Sequence, residues 1–435
     1  MTAPAPVPTL REAWPVWLRI GLLGFGGPAG QIALMHRELV ERRGWIDERR
    51  FLEALNVCML LPGPEAHQLS VYIGWLLHRT QGAVVAGVLF VLPGAAVLWA
   101  LSWLYAAHGD TATVTALFAG LRPAVVALVA VALWRVGRTA IRSVAHGLIA
   151  IAGFLALALG HVPFPAVIAA AAIIGAIASG RLTGGTAPGP VAPRQPSEGA
   201  PTRSSGGEPS RPPRVWQTLR TVLGWTLVWL APLAALTLWL GPGHVLAVQA
   251  RFFSQVALVT FGGAYAVLPY VAQHAVEVHG WLTPAQMLDG LGLAETTPGP
   301  LVLVLQFVGF LGAWGAPAPF PALVAGTLGS AVTLWATFVP SFLFVLTLAP
   351  HMDRLNRRAW VSGALAAVTA AVAGVILSLA VWLGREVCWP QGRMDPWALG
   401  LALAAWLALT RTRIGLIPVL LGCALAGWAL HAAGL

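Results

Sequence analysis

Apolar positions fall into long runs separated by short polar connections. In the first part of the chain the runs lie at roughly 13–35, 51–77, 82–107, 113–134, 145–160 and 163–179. Beyond a polar stretch they resume at 216–240, 246–273, 287–313, 320–349, 359–383, 396–410 and 412–432. Most have the ~17–25 residues a helix needs to cross ~30 Å of hydrocarbon. The pattern predicts an all-α polytopic membrane protein. The polar stretch at 181–214, rich in Gly, Pro, Ser and Arg, has almost nothing to bury and predicts a disordered linker.

Four of the runs are interrupted. Phe25-Gly26-Gly27 and Pro62-Gly63-Pro64 break two runs in the first half, and Phe261-Gly262-Gly263 and Pro298-Gly299-Pro300 break two in the second. Gly44-Trp45 likewise matches Gly280-Trp281, and each pair of landmarks is separated by 236 residues. Two repeats of about six apolar elements follow, one at 1–180 and one at 246–435, with a linking transmembrane helix at 215–245. Seven elements separate the two repeat starts, and an odd number of crossings inverts the second repeat relative to the first. Half-crossing hairpins in place of the first two elements leave that parity unchanged.

Arginine placement bears on the hairpins. The connection His36–Arg50 carries five Arg, whereas its counterpart Gln273–Gln286 carries none. Cytoplasmic connections collect Lys and Arg. If Arg135/Arg138/Arg142, the linker, Arg354/Arg357/Arg358 and Arg411 with Arg413 lie inside, the five-Arg loop joins them only when the broken runs are re-entrant. The reading favoured is therefore re-entrant hairpins, with the N-terminus and linker cytoplasmic.

Composition narrows the function. The chain has 435 residues, 57% hydrophobic and 10% charged, against ~25% charged in a soluble domain. All 26 basic residues are Arg, and they sit in connections rather than on one basic face, so the net charge of +10 does not indicate nucleic-acid binding. Cys58, Cys388 and Cys423 have no metal-ligand spacing and read as small packing residues. The N-terminal stretch lacks a charged segment followed by a cleavable apolar core, and no signal peptide is expected. Without a Walker loop, paired-cysteine site or metalloprotease signature, no cofactor, metal or ATP-driven chemistry is expected.

The breaks themselves suggest chemistry. A proline ends a helix just before it, glycine makes the turn, and a second proline suits the start of the next helix. Pro298 is thus expected to end a helix at about Thr297, and Pro300 to open the next. Helix starts expose N–H groups and the positive end of the dipole, which in a bilayer need a partner such as an anion. Inverted-repeat transporters build midplane sites this way. The substrate-binding candidates are Phe25, Gly26, Gly27, Pro62, Gly63, Pro64, Phe261, Gly262, Gly263, Pro298, Gly299 and Pro300. Arg19 and Arg122 join them as basic candidates. These two, like Arg251, lie near run ends, where snorkelling to the interface competes with anion binding.

Glu65 follows its break, at a helix start. Glu295 precedes its break, near a helix end, and is the better proton-coupling candidate. His67 is a third candidate, against the commoner role of a hydrogen-bonded packing histidine. Glu53 and Asp289 are read as dipole partners at helix starts.

Five blocks together resemble the chromate transporter family in its long, two-domain form: Leu18–Gln31, Glu41–Phe51, Leu60–Leu69, Thr260–Pro269 and Gly280–Pro300. The resemblance covers the chain outside the linker. It implies two fused domains of opposite orientation and a plasma-membrane transporter that expels chromate and confers chromate resistance, with sulfate as the close structural analogue. Glu65-Ala66-His67, Glu295-Thr296-Thr297 and Ala264 depart from the family's usual residues. They leave open another anion, such as sulfate, on the same scaffold. A sensor or membrane enzyme is the more distant alternative, because neither a soluble domain nor a nucleophile–base cluster is present. The expected partners are a small oxyanion and the lipid bilayer, with no nucleic acid. A homodimer stays open.

Overall fold

The computed structural model describes residues 8–59, 61–160, 162–178, 215–261, 263–351, 359–412 and 414–433. The linker at 181–214, Gly262, Arg354, Arg357, Arg358 and Arg413 lie outside the described residues. Among those described, every regular element is a helix.

The first broken run makes α1 (Leu10–Leu23) and α2 (Gly27–His36), the latter extended by a π-helical turn at Arg37–Glu41. Thr9 and Glu12 form a capping box that starts α1. Beyond α2 the chain returns far enough for the Arg19 charge to act on Glu38. The second broken run makes α3 (Glu48–Cys58), capped by Asp47, and α4 (Glu65–His108). At His78 and Arg79 α4 leaves helical geometry. Its short arm, 65–77, folds back on its long arm, 80–108. A Cβ on Gly74 would lie 2.4 Å from the Gly82 carbonyl oxygen, and one on Gly82 would lie 2.2 Å from that of Gly74. Only glycine lets the arms approach so closely. The imidazole of His78 bonds the Pro8 carbonyl at 2.6 Å, setting the start of α1 beside this turn.

α5 (Ala112–Ala140) returns alongside, followed by α6 (Val144–Ala158) and α7 (Phe164–Ile177). α8 (Val215–Leu240) is mostly exposed, with only Trp229 and Leu233 buried. An apolar helix that buries so little protein surface faces lipid.

The second half repeats these devices. α9 (Val245–Val259) and α10 (Ala264–Gln273) flank a break, and a π-helical turn at His274–Val278 extends α10. α11 (Pro284–Thr296), capped by Thr283, runs to the next break. A 3₁₀ turn at Leu301–Leu303 then leads into α12 (Val304–Gly315), and α13 (Ala322–Leu348) folds back on it. His244, at the start of α9, bonds the Ala318 carbonyl in the α12–α13 connection at 2.8 Å, whereas in the first half the histidine, His78, is in the turn and the carbonyl, that of Pro8, is at the helix start. α14 (Ala359–Cys388), α15 (Pro396–Arg411) and α16 (Leu416–Ala432) complete the chain.

Among the described residues, five helices are long and apolar enough to cross a membrane: α4, α5, α8, α13 and α14. The protein is a multi-pass membrane protein. Its core lies where α12 and α13 meet the broken hairpins, and residues 301–305 are buried throughout.

Two sequence expectations need correction here. Glu53 and Asp289 do not sit at helix starts, because α3 begins at Glu48 and α11 at Pro284. Both instead pair with arginines, Glu53 with Arg49 and Asp289 with Arg122. Pro300 is the cap of its helix rather than the first residue, since the chain makes a 3₁₀ turn first.

Candidate functional site

The four breaks meet in pairs. The Gly63 N–H donates to the Thr260 carbonyl at 2.7 Å, and the Gly299 N–H donates to the Gly24 carbonyl at 2.9 Å. Donors and acceptors are each separated by 236 residues. Each Pro-Gly-Pro turn is thus bonded to the residue just before the other half's Phe-Gly-Gly. Gly63 and Gly299 have φ of 128° and 102°, a region that admits glycine readily and other residues at a cost. The two glycine amides are therefore engaged by protein.

Side chains finish the crossings differently. At the first, the Gln68 amide donates to the Pro62 carbonyl at 2.6 Å. At the second, the fully buried Gln31 amide donates to the carbonyls of Gly24, at 3.1 Å, and of Gly299.

The carboxylates gather at the first crossing. Helix starts at Glu65 and Ala264 lie side by side, since a Glu65 carboxylate oxygen is 3.9 Å from where a Cβ on Gly263 would stand. Tyr265, next along α10, donates its hydroxyl to the buried Glu295 at 2.5 Å. Glu65 and Glu295 thus flank the same three residues, 263–265. A helix start attracts negative charge, and two acids beside it offer places for a proton.

The remaining predicted residues lie as follows. Pro64 caps the short arm of α4, and Pro298 packs its carbonyl against Gly94 of the long arm. Phe25 and Gly26 are exposed and Gly27 half-buried, whereas Gly27's counterpart Gly263 is buried. Gly27 starts α2, and Phe261 is half-buried. His67 is enclosed by Phe90, Phe338 and Phe342, and its Nδ1 has no partner among the described residues. Arg19 is exposed. Arg122 makes a bidentate pair with Asp289 at 2.8 and 2.9 Å, and Tyr105 donates to the same carboxylate. Its charge is therefore met within the protein. Two open surface hollows, at Trp382–Gly392 and Ile141–Ile151, lie away from both crossings. No group of three or more metal-ligating side chains occurs among the described residues.

The sequence profile of the family described as Chromate transporter matches residues 12–176 and 247–428. The chain belongs to this family. The transporter is 32% identical to the chromate transport protein of Pseudomonas aeruginosa, over 95% of this chain and 90% of that one. It is 29% identical to the chromate transport protein of Cupriavidus metallidurans, over 86% of this chain and 84% of that one. A shorter relative, the uncharacterized transporter YwrB of Bacillus subtilis, is 30% identical over 132 residues, which are 30% of this chain and 67% of that protein. No solved structure matches the transporter. The family is one of transporters, not enzymes.

Sequence reasoning passed over Tyr265, Gln31 and Gln68. A signal existed for each. Tyr265 stands where the first half has Ala29, Gln31 where the second has Val267, and Gln68 where the second has Val304. Polar residues found in only one copy of an apolar repeat are themselves informative.

At the end of the first hairpin away from its break, Glu38 is buried beneath Arg42 and Arg43. Burial works against its charge, but the Arg43 hydrogen bond and the charges of Arg42, Arg19 and Arg43 outweigh it and hold the carboxyl below its ordinary value.

Proposed function

We infer that the protein is a secondary transporter that exports chromate across the plasma membrane and thereby confers chromate resistance. The observation that carries the reading is the first crossing, where two helix starts lie together between Glu65 and Glu295. The helix starts receive the dianion, and the carboxylates exchange protons as it passes. Family membership points to chromate, and the names of the Pseudomonas and Cupriavidus relatives agree. The two carboxylates favour a second reading, another oxyanion such as sulfate carried with tighter proton coupling, because acids beside a dianion must be neutralised for it to bind.

The scaffold is read as two inverted repeats, 1–180 and 246–435, joined by the helix within 215–245. The crossings related by 236 residues support this, as do the two blocks of the family match and the shorter relative. With re-entrant hairpins, the five-Arg connection, Arg79, Arg135/Arg138/Arg142 and Arg411 share one face, which is assigned to the cytoplasm.

The test is chromate uptake into inside-out vesicles with and without a proton gradient, with sulfate as competitor. Glu295→Gln and Glu65→Gln are each expected to reduce uptake at least tenfold and to flatten its response to the gradient. Uptake in both variants equal to wild type would remove the carboxylates from the mechanism. Cysteines introduced at Arg43 and Gln273 should label from opposite sides. The native Cys58, Cys388 and Cys423 are buried and contribute little background. Same-side labelling would refute inversion.

A further inference from the structure

α13 carries a row of hydroxyls that do nothing for the protein's own hydrogen bonding. Ser330, Thr333, Thr337 and Ser341 follow at steps of three, four and four residues, so they share one helix face. Each is at least 97% buried, and the hydroxyl oxygen of each has no hydrogen-bond partner among the described residues. Ser254 and Thr347 share this lack, but most hydroxyls of the described helices do not. Thr327, on the same helix, donates to the Leu323 carbonyl, as Thr237, Ser102 and Thr369 do to the carbonyls four residues before them. Such back-bonding is how a hydroxyl in an apolar helix normally satisfies itself.

The row has a direction. At its inner end, the Ser341 hydroxyl is 2.9 Å from where a Cβ on Gly63 would stand, so it lies over the first crossing, beside Gln68. Toward the α12–α13 connection, Thr333 stands against Gly309, whose carbonyl receives the Gln249 amide. The free amide oxygens of Gln68 and Gln249 are also buried without partners. From Ser330 to Ser341 the row extends ~16 Å, about half the hydrocarbon thickness.

We propose that this row is the outer half of the substrate path, a ladder of neutral hydroxyl donors that passes a tetrahedral oxyanion between the first crossing and the face bearing the α12–α13 connection. The proposal rests on the reading of the protein as an oxyanion transporter. Neutral donors suit a path rather than a resting site. They bind a dianion weakly enough to release it, and successive rungs about 4.5–6 Å apart let it hold one hydroxyl while reaching the next.

The test uses the full-length protein with single cysteines at Thr337 and Ser341, and at Trp335, which faces α8 from the other side of α13, as control. The probe is a small sulfonate-bearing thiol reagent. Positions 337 and 341 should react, at least fivefold more slowly in chromate or sulfate, and position 335 should not. Absence of labelling at both, or labelling that neither anion slows, overturns the ladder. In parallel, a folded Thr333→Val/Thr337→Val/Ser341→Ala variant should take up chromate at least tenfold more slowly than wild type. Wild-type rates in that variant also overturn it. If wild-type vesicles take up no chromate but sulfate protects both cysteines, the ladder stands and chromate as cargo falls.

Discussion

The two crossings share a backbone plan and differ in everything attached to it. At the first, Gly63 meets Thr260, Glu65 opens the next helix, and Tyr265 and Glu295 stand alongside. At the second, Gly299 meets Gly24, Leu301 occupies the place of Glu65, and a buried glutamine closes both carbonyls. Met59 and Ala29 stand where the other half has Glu295 and Tyr265. The backbone supplies two equivalent interruptions, and the side chains make one a site of charge and the other a clamp. The hairpins that carry the turns diverge too. Asp289 is 1% exposed and doubly bonded to Arg122, whereas its counterpart Glu53 pairs with Arg49 in the open.

That last contrast gives the largest expected effect. Asp289→Ala leaves Arg122 without its partner in a largely buried setting, and should cost about 3–5 kcal/mol of stability. Glu53→Ala should cost no more than about 0.5 kcal/mol. Thermal unfolding of the purified protein checks both, and equal losses would erase the distinction between the hairpins. Next come the turn glycines. A Cβ on Gly63 meets Gln68 Nε2 at 2.6 Å and Ser341 Oγ at 2.9 Å, whereas one on Gly299 meets the flexible end of Leu303 at 2.9 Å. Both alanine variants carry about 1–3 kcal/mol of backbone strain. Gly63→Ala should abolish uptake, while Gly299→Ala retains part of it.

Glu65→Leu gives the first crossing the residue of the second. Uptake should fall at least tenfold with the melting temperature unchanged or raised, since a desolvated carboxylate is removed. Gln31→Leu attacks the clamp instead. It should cost about 1–2 kcal/mol and lower uptake only in proportion to folded protein.

The smallest effect is that of pH on Glu38. Its carboxyl is held below its ordinary value of 4.5, so its contribution to stability is complete above that pH and is lost as pH falls through the lowered value. Wild type should exceed Glu38→Gln in melting temperature at pH 7, and the gap should close on acidification toward pH 3. A gap that widened would reverse the assignment.

Much of this is legible in the sequence. The breaks announce themselves because proline and glycine act on the backbone locally, and the C-terminal end of α11 and the start of the short arm of α4 fall within a residue or two of expectation. The turn at His78–Arg79 falls in the gap between the apolar runs 51–77 and 82–107. Partnerships were harder. Arg122 and Asp289 are 167 residues apart, and nothing local marks either as the other's partner. The bonding of each glycine amide to the opposite half depends on how the halves interlock, which no single segment encodes. Tyr265 lay hidden because an aromatic in an apolar run ordinarily reads as packing.

Ribosomes deliver the first half before the second. Until residue 260 enters the bilayer the Gly63 amide has no mate, and until residue 299 follows the Gly24 carbonyl has only the Gln31 amide, so neither early turn can settle into final form. Maturation therefore waits on the C-terminal half, and a truncated product would leave a raw amide at its second turn, a clear mark for quality-control proteases.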